Sequence, residues 1–130
     1  MNIYLDIDGV ILGKDLKPAN HLREFLEYIT DNHEVYWLTT HCKGDNKITL
    51  NYLSRFLDKD IIELLKKVKP TSWNTLKTEA IDFTKDFVWL DDFIFPMERQ
   101  ALEREDKLDR WLEVNLKDNE DTLLQVLKGL

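Results

Sequence analysis

Three short apolar runs in this chain close on polar side chains that a buried strand end does not need. Asn2–Leu5 leads into Asp6, Val35–Tyr36–Trp37–Leu38 into Thr39, and Val88–Trp89–Leu90 into Asp91–Asp92. Between them lie stretches whose apolar residues recur at helical spacing. Ala19–Thr30 carries Leu22, Phe25, Leu26 and Ile29 behind Pro18, and Asn46–Leu57 forms a second such stretch. Strand–helix alternation of this kind implies crossover connections and a parallel sheet covered on both faces. In such sheets ligands bind outside the carboxyl ends of the strands, so the three polar ends are expected to meet along one edge.

The rest of the chain extends the pattern. Ile61–Val68 fits a helix or a strand, and Ser72 reads as a cap for a helix running to about Phe83. A charged helix over Met97–Lys107, an edge strand over Arg110–Val114 and a closing helix over Asp118–Leu127 complete it. The expectation is one α/β domain over residues 1–130, a three-layer Rossmann-like parallel sheet of about five strands. Four Trp, four Tyr and six Phe need a core to pack in. A net charge of −7 argues against a generic binder of nucleic acid or membrane surface, which needs surplus Lys and Arg. The densest basic stretch, Lys66–Lys67–Val68–Lys69, reads as solvated surface. Cys42 is the only cysteine, which excludes an internal disulfide or a multi-cysteine zinc site and favours a reducing, cytoplasmic setting. No basic segment precedes Asp6 and Asp8 as in a secretory signal, and no apolar run approaches the ~20 residues of a membrane span.

Taken in order, Asp6–Ile7–Asp8–Gly9–Val10, the strand ending in Thr39, Lys77 and the pair Asp91–Asp92 resemble the four motifs of the haloacid dehalogenase superfamily of phosphotransferases. The resemblance covers roughly residues 2–92. The variants WLTT and VWLDD also look like the phosphatase-type domain of multidomain bacterial RNA-repair proteins within that superfamily. It implies a Mg²⁺-dependent phosphomonoester hydrolase working through an aspartyl-phosphate. Asp6 would be the nucleophile and Asp8 the general acid, then the base for water. Thr39, the Thr40 N–H and Lys77 would bind phosphate. Asp6, Asp91, Asp92 and the carbonyl of Asp8 would hold the cation, with Asp92 favoured over Asp91 as the direct ligand. A dianionic ester repels a carboxylate, and a hard cation with oxygen ligands removes that repulsion. By residue pattern alone, Asp91 and Asp92 are not separable; Lys69 rivals Lys77, but the spacing of 14 residues from Lys77 to Asp91 allows one helix and a turn and favours Lys77. One departure stands out: many relatives carry a further acid four residues after the last motif, where this chain has Pro96.

The resemblance also locates substrate-covering cap modules, after the first motif or between the second and third. About ten residues separate Gly9 from Ala19, and 36 lie between Thr40 and Lys77, mostly used by a helix. A short flap and no substantial cap are expected. Such an open site suits a phosphate at the end or surface of something large, or a small substrate enclosed by an oligomer. The substrate could be a nucleotide or nucleic-acid terminal phosphate, a phosphoprotein or a small phosphometabolite. The competing readings are a non-catalytic binding or regulatory domain of the same fold and a phosphorylated receiver-like domain. His41 and Cys42 follow Thr40 at the expected mouth, with Cys42 read as a bystander. Trp37 and Trp89 are read as core, and His21 and His33 as surface.

Overall fold

The computed structural model describes all of residues 1–130. Strands β1 (Asn2–Leu5), β2 (Glu34–Trp37), β3 (Phe87–Asp91) and β4 (Trp111–Glu113) form one all-parallel sheet in the order β2-β1-β3-β4. Leu5 pairs with Trp37 on one side and Leu90 on the other, so Asp6, Thr39 and Asp91–Asp92 emerge close to the same edge. The chain runs from β1 outward to β2, then returns to place β3 on the other flank of β1. That reversal opens a crevice at the carboxyl ends of β1 and β3.

Alternation along the strands divides the side chains between two cores. Ile3, Leu5, Val35, Trp37, Val88 and Leu90 face the larger core. It is covered by α1 (Leu22–Asn32), α2 (Asn46–Leu53), α3 (Lys59–Leu65) and α5 (Thr122–Gly129). Tyr4, Phe87 and Trp89 face the smaller one, with Leu102 of α4 (Pro96–Arg104). Trp37 and Trp89 are fully buried, as expected of core residues.

The sheet has four strands, not about five. Ile61–Val68 falls mainly in α3, and a fifth position beside β2 is reduced to the single residue Lys69. Its N–H donates to the Val35 carbonyl, and its own carbonyl accepts from the Trp37 N–H, both at 2.9 Å. Pro70 follows, and with no N–H it cannot extend the ladder.

Other boundaries moved for local reasons. The first helix starts at Leu22 because Pro18 bridges to Leu12 and the Ala19 N–H donates to the Ile11 carbonyl. The second ends at Leu53, short of Leu57. No helix runs from Ser72 to Phe83; one 3₁₀ turn, Lys77–Ala80, stands in its place. The Glu79 carboxylate accepts the N–H groups of Asn74, Thr75 and Leu76, a local arrangement that competes with helix. Those donors hold the Glu79 carboxyl below its ordinary pKa. Side-chain turns at Asn115 and Asn119 likewise delay the last helix to Thr122.

Residues 9–18 form a short flap whose tip, Lys14–Leu16, is a single turn. Leu53, Ile61 and Leu65 bring α2 and α3 into the larger core, so the connection between β2 and Lys77 packs on the sheet. No helix is long and apolar enough to cross a membrane.

Candidate active site

Asp6 is the first residue beyond β1, with its N–H bonded to the Leu90 carbonyl of β3 at 3.0 Å. Asp91 closes β3 and is 1% exposed, whereas Asp92 is exposed. One carboxylate oxygen from each of Asp6, Asp91 and Asp92 lies within 4.8 Å of the others. The Lys77 Nζ sits 2.6 Å from Asp91 Oδ2 and 3.5 Å from Asp6 Oδ1. One ammonium therefore pairs with two of the three clustered carboxylates. Burial and the charge of Asp6 push the Asp91 carboxyl up to about 8, against the pull of Lys77. Burial works against the Lys77 ammonium too, but the Asp6 and Asp91 charges outweigh it and raise its pKa. The cluster carries excess negative charge, which a cation would relieve.

Lys77 is held by a residue outside the expected set. Glu98 of α4 is 2% exposed and accepts the backbone N–H groups of Lys77 and Phe95, each at 2.9 Å. Chain segments 21 residues apart are thereby pinned together. Phe95–Pro96–Met97–Glu98 reads as a helix start with an acid at its third position, which is a visible signal for the bond to Phe95. Nothing in the sequence marks the bond to Lys77. Lys69 lies elsewhere, paired with Glu34 at the amino end of β2, and Lys66 and Lys67 pair with Glu63 and Asp31. The basic stretch is locally compensated at the surface.

Asp8 stands apart from the three clustered carboxylates. Its Oδ2 lies 3.0 Å from His41 Nε2, and the imidazole stacks on Tyr52 with centroids 4.1 Å apart and planes 12° from parallel. The His41 backbone is also tied, its N–H to the Thr39 hydroxyl at 3.3 Å and its carbonyl to the Thr49 hydroxyl at 3.1 Å. Thr39 itself is fully buried beneath the site and absent from the cavity lining, whereas Thr40 lines it. Cys42 is buried in the larger core with its thiol toward the Thr71 carbonyl, in keeping with a bystander. His21 and His33 cap the two ends of α1.

Gly9 earns its place twice. Its φ of +84° suits glycine, and a Cβ there would meet Asp92 Oδ2 at 2.7 Å and Cγ at 2.9 Å. Gly9→Ala is expected to lower stability by about 1–2 kcal/mol in urea unfolding. The same substitution should cost measurably less in an Asp92→Ala background, where the two nearest contacts are gone and only the Cβ of residue 92 remains, at 3.0 Å. Equal costs in both backgrounds would mean that the strain is purely that of the backbone.

Asp6, Asp8, Thr40, Lys77, Asp91 and Asp92 line one cavity of about 230 Å³, together with Trp73, Phe93, Phe95 and Glu98. A wider opening of about 610 Å³ shares Asp8 and Asp92 and runs past Gly9 to the flap and Tyr52. No family model, curated protein or solved structure matches the chain.

Proposed function

We propose that this chain is a divalent-cation-dependent phosphomonoester hydrolase of the haloacid dehalogenase type. The observation that carries the reading is the meeting of Asp6, Asp91, Asp92 and Lys77 at the carboxyl edge of β1 and β3. A hard, all-oxygen donor set suits Mg²⁺, with Asp6, Asp91, Asp92 and the Asp8 carbonyl as its ligands. When bound, the ion neutralises charge on both phosphate and carboxylate.

The residues then divide the work. An Asp6 oxygen attacks phosphorus while the bond to the leaving oxygen breaks, and Asp8 passes its proton to that oxygen to release an alcohol. Water next attacks the phosphorus of the aspartyl-phosphate, Asp8 takes its proton, and phosphate leaves with Asp6 regenerated. Lys77 steadies Asp6 and offsets phosphate charge, and the Thr40 N–H donates to a phosphate oxygen. A nucleotide or the terminal phosphate of a short nucleic-acid end fits the reading better than a long polynucleotide. The net charge of −7 and the paired lysines of residues 66–69 offer no basic track.

The test is hydrolysis of p-nitrophenyl phosphate with Mg²⁺ and with EDTA. Turnover that needs the metal is expected. No turnover with this ester or with a panel of nucleotides and phosphopeptides would replace the reading with that of a non-catalytic binding domain.

His41 is assigned as a positioning residue for Asp8. His41→Ala should slow alkyl phosphates on the order of tenfold in kcat/KM, which reports the first transfer and not the later attack of water, because a poor leaving group needs its proton from Asp8. p-Nitrophenyl phosphate, whose leaving group needs none, should be nearly unaffected. His41→Gln, which can still donate to the carboxylate, should recover part of the loss. Equal loss on both esters would point to general damage.

A further inference from the structure

We infer that Phe93 and Phe95 form a subsite for a planar aromatic ring in the leaving group, so that the substrate is a small phosphomonoester bearing such a ring, with a nucleoside monophosphate as its representative. The inference rests on the hydrolase reading and deepens it. The cavity that holds the carboxylates and Lys77 is about 230 Å³. That is smaller than the ~300–1,000 Å³ of clefts that enclose a whole ligand. It accommodates the phosphoryl end and leaves the rest of the substrate on the rim.

Phe93 and Phe95 line the same cavity, yet remain 58% and 57% exposed. They meet edge to face, with centroids 5.4 Å apart and planes at 88°. Their backbones are fixed by the site's own acids: the Phe93 N–H donates to Asp91 Oδ1 at 3.3 Å, and the Phe95 N–H to Glu98 Oε1 at 2.9 Å. Two apolar rings on held backbones, with no hydrogen-bonding group, offer a π-face and little else. The surrounding carboxylates disfavour further anionic groups on the leaving portion, whereas a neutral ring stacks without a charge penalty.

The test compares adenosine 5′-monophosphate, phosphotyrosine and ribose 5-phosphate in two assays. In the wild-type enzyme with Mg²⁺, kcat/KM for the adenosine compound should exceed that for ribose 5-phosphate at least about fivefold, as expected of one stacked base. In the Phe93→Ala/Phe95→Ala double variant the ratio should fall to near one. Titration of the Asp6→Asn protein with the same ligands should show the same ranking of Kd. Phosphotyrosine binding tighter than adenosine 5′-monophosphate in the Kd series, which leaving-group acidity does not affect, would assign the ring to an aryl phosphate and overturn the nucleoside as representative.

Absence of wild-type turnover with a surviving difference in Kd would sink the hydrolase reading and keep the ring subsite. Turnover with equal constants for ring-bearing and ringless esters would do the reverse. Binding of none of the ligands would overturn both. A preference lost in Tyr52→Leu and retained in the double Phe variant would move the ring to the wider opening and refute the assignment. Sedimentation supplies the last check: a dimer that the double variant dissociates would show that the rings cover a second copy of the chain.

Discussion

Asp6→Asn is expected to lose at least about a thousandfold in phosphate-ester turnover while melting higher than the wild type in EDTA at pH 8. On the proposed mechanism, the loss follows from removing the attacking oxygen. The gain follows from charge. Asp6 is one of the two causes that lift the Asp91 carboxyl to about 8, and each unit by which it relaxes is worth ~1.4 kcal/mol. An unfolded aspartate titrates at about 3.9, so between there and about 8 the native protein holds a proton that the unfolded chain has lost. The contribution of Asp91 to stability therefore declines as pH rises from about 4 to 8. Metal-free wild type should lose melting temperature across that window, and Asp6→Asn should lose less. Mg²⁺ should raise the wild type strongly at pH 8 and the variant weakly. Calorimetry of both proteins at pH 5 and pH 8, with and without metal, reads four values for each. An inactive variant that melts lower than wild type at pH 8 in EDTA would contradict the charge argument, and an active one would remove Asp6 as nucleophile.

Lys77→Met should be the most destabilising single change at the site. Its ammonium is the only cation facing Asp6 and Asp91, and all three side chains are at least 86% buried. Removing one partner of a buried ion pair typically costs about 3–5 kcal/mol, because the other charge stays behind without water. For a chain of this length that is on the order of 10 °C in Tm. Mg²⁺ should return part of the loss, since a dication takes over the compensation. Turnover should stay depressed, because the phosphate loses its donor. Lys77→Arg separates the two effects: it keeps a charge in a different shape and should recover stability better than activity. A Tm shift of only a degree or two in Lys77→Met would show that water already screens the cluster.

The strand ends were legible because their signal is local: a short β-rich run followed by an acid or hydroxyl places that group on one sheet edge whatever the connections do. Asp6, Asp91 and Asp92 follow from it directly. The choice of Lys77 over Lys69 rested only on its spacing from Asp91; what separates the two in the structure is the Glu98 bond across 21 residues and the turning of the Lys69 ammonium to Glu34 at the amino end of β2. The helix expected after Ser72 misled for a related reason. Glu79 reaches back to three N–H groups and shapes the segment by a side chain that helix propensity scores favourably. His41 was visible as a neighbour of the motif, but its bond to Asp8 and its stack on Tyr52 are products of packing. Pro96 looked like the loss of an acid; two residues further on, Glu98 serves the lysine.

The one-residue bridge at Lys69 has a bearing on how copies of this chain can meet. Lys69 occupies the Val35 carbonyl and the Trp37 N–H on the outer side of β2, the Thr71 hydroxyl donates to the Trp37 carbonyl, and Pro70 cannot extend that side as a ladder. The opposite border, β4, is three residues long and has no protein strand beyond it. Any assembly by strand addition would thus be one-sided, pairing β4 with β4 about a twofold axis, and could not propagate into a filament. A sheet sealed on one border can dimerise through the other, but it cannot polymerise.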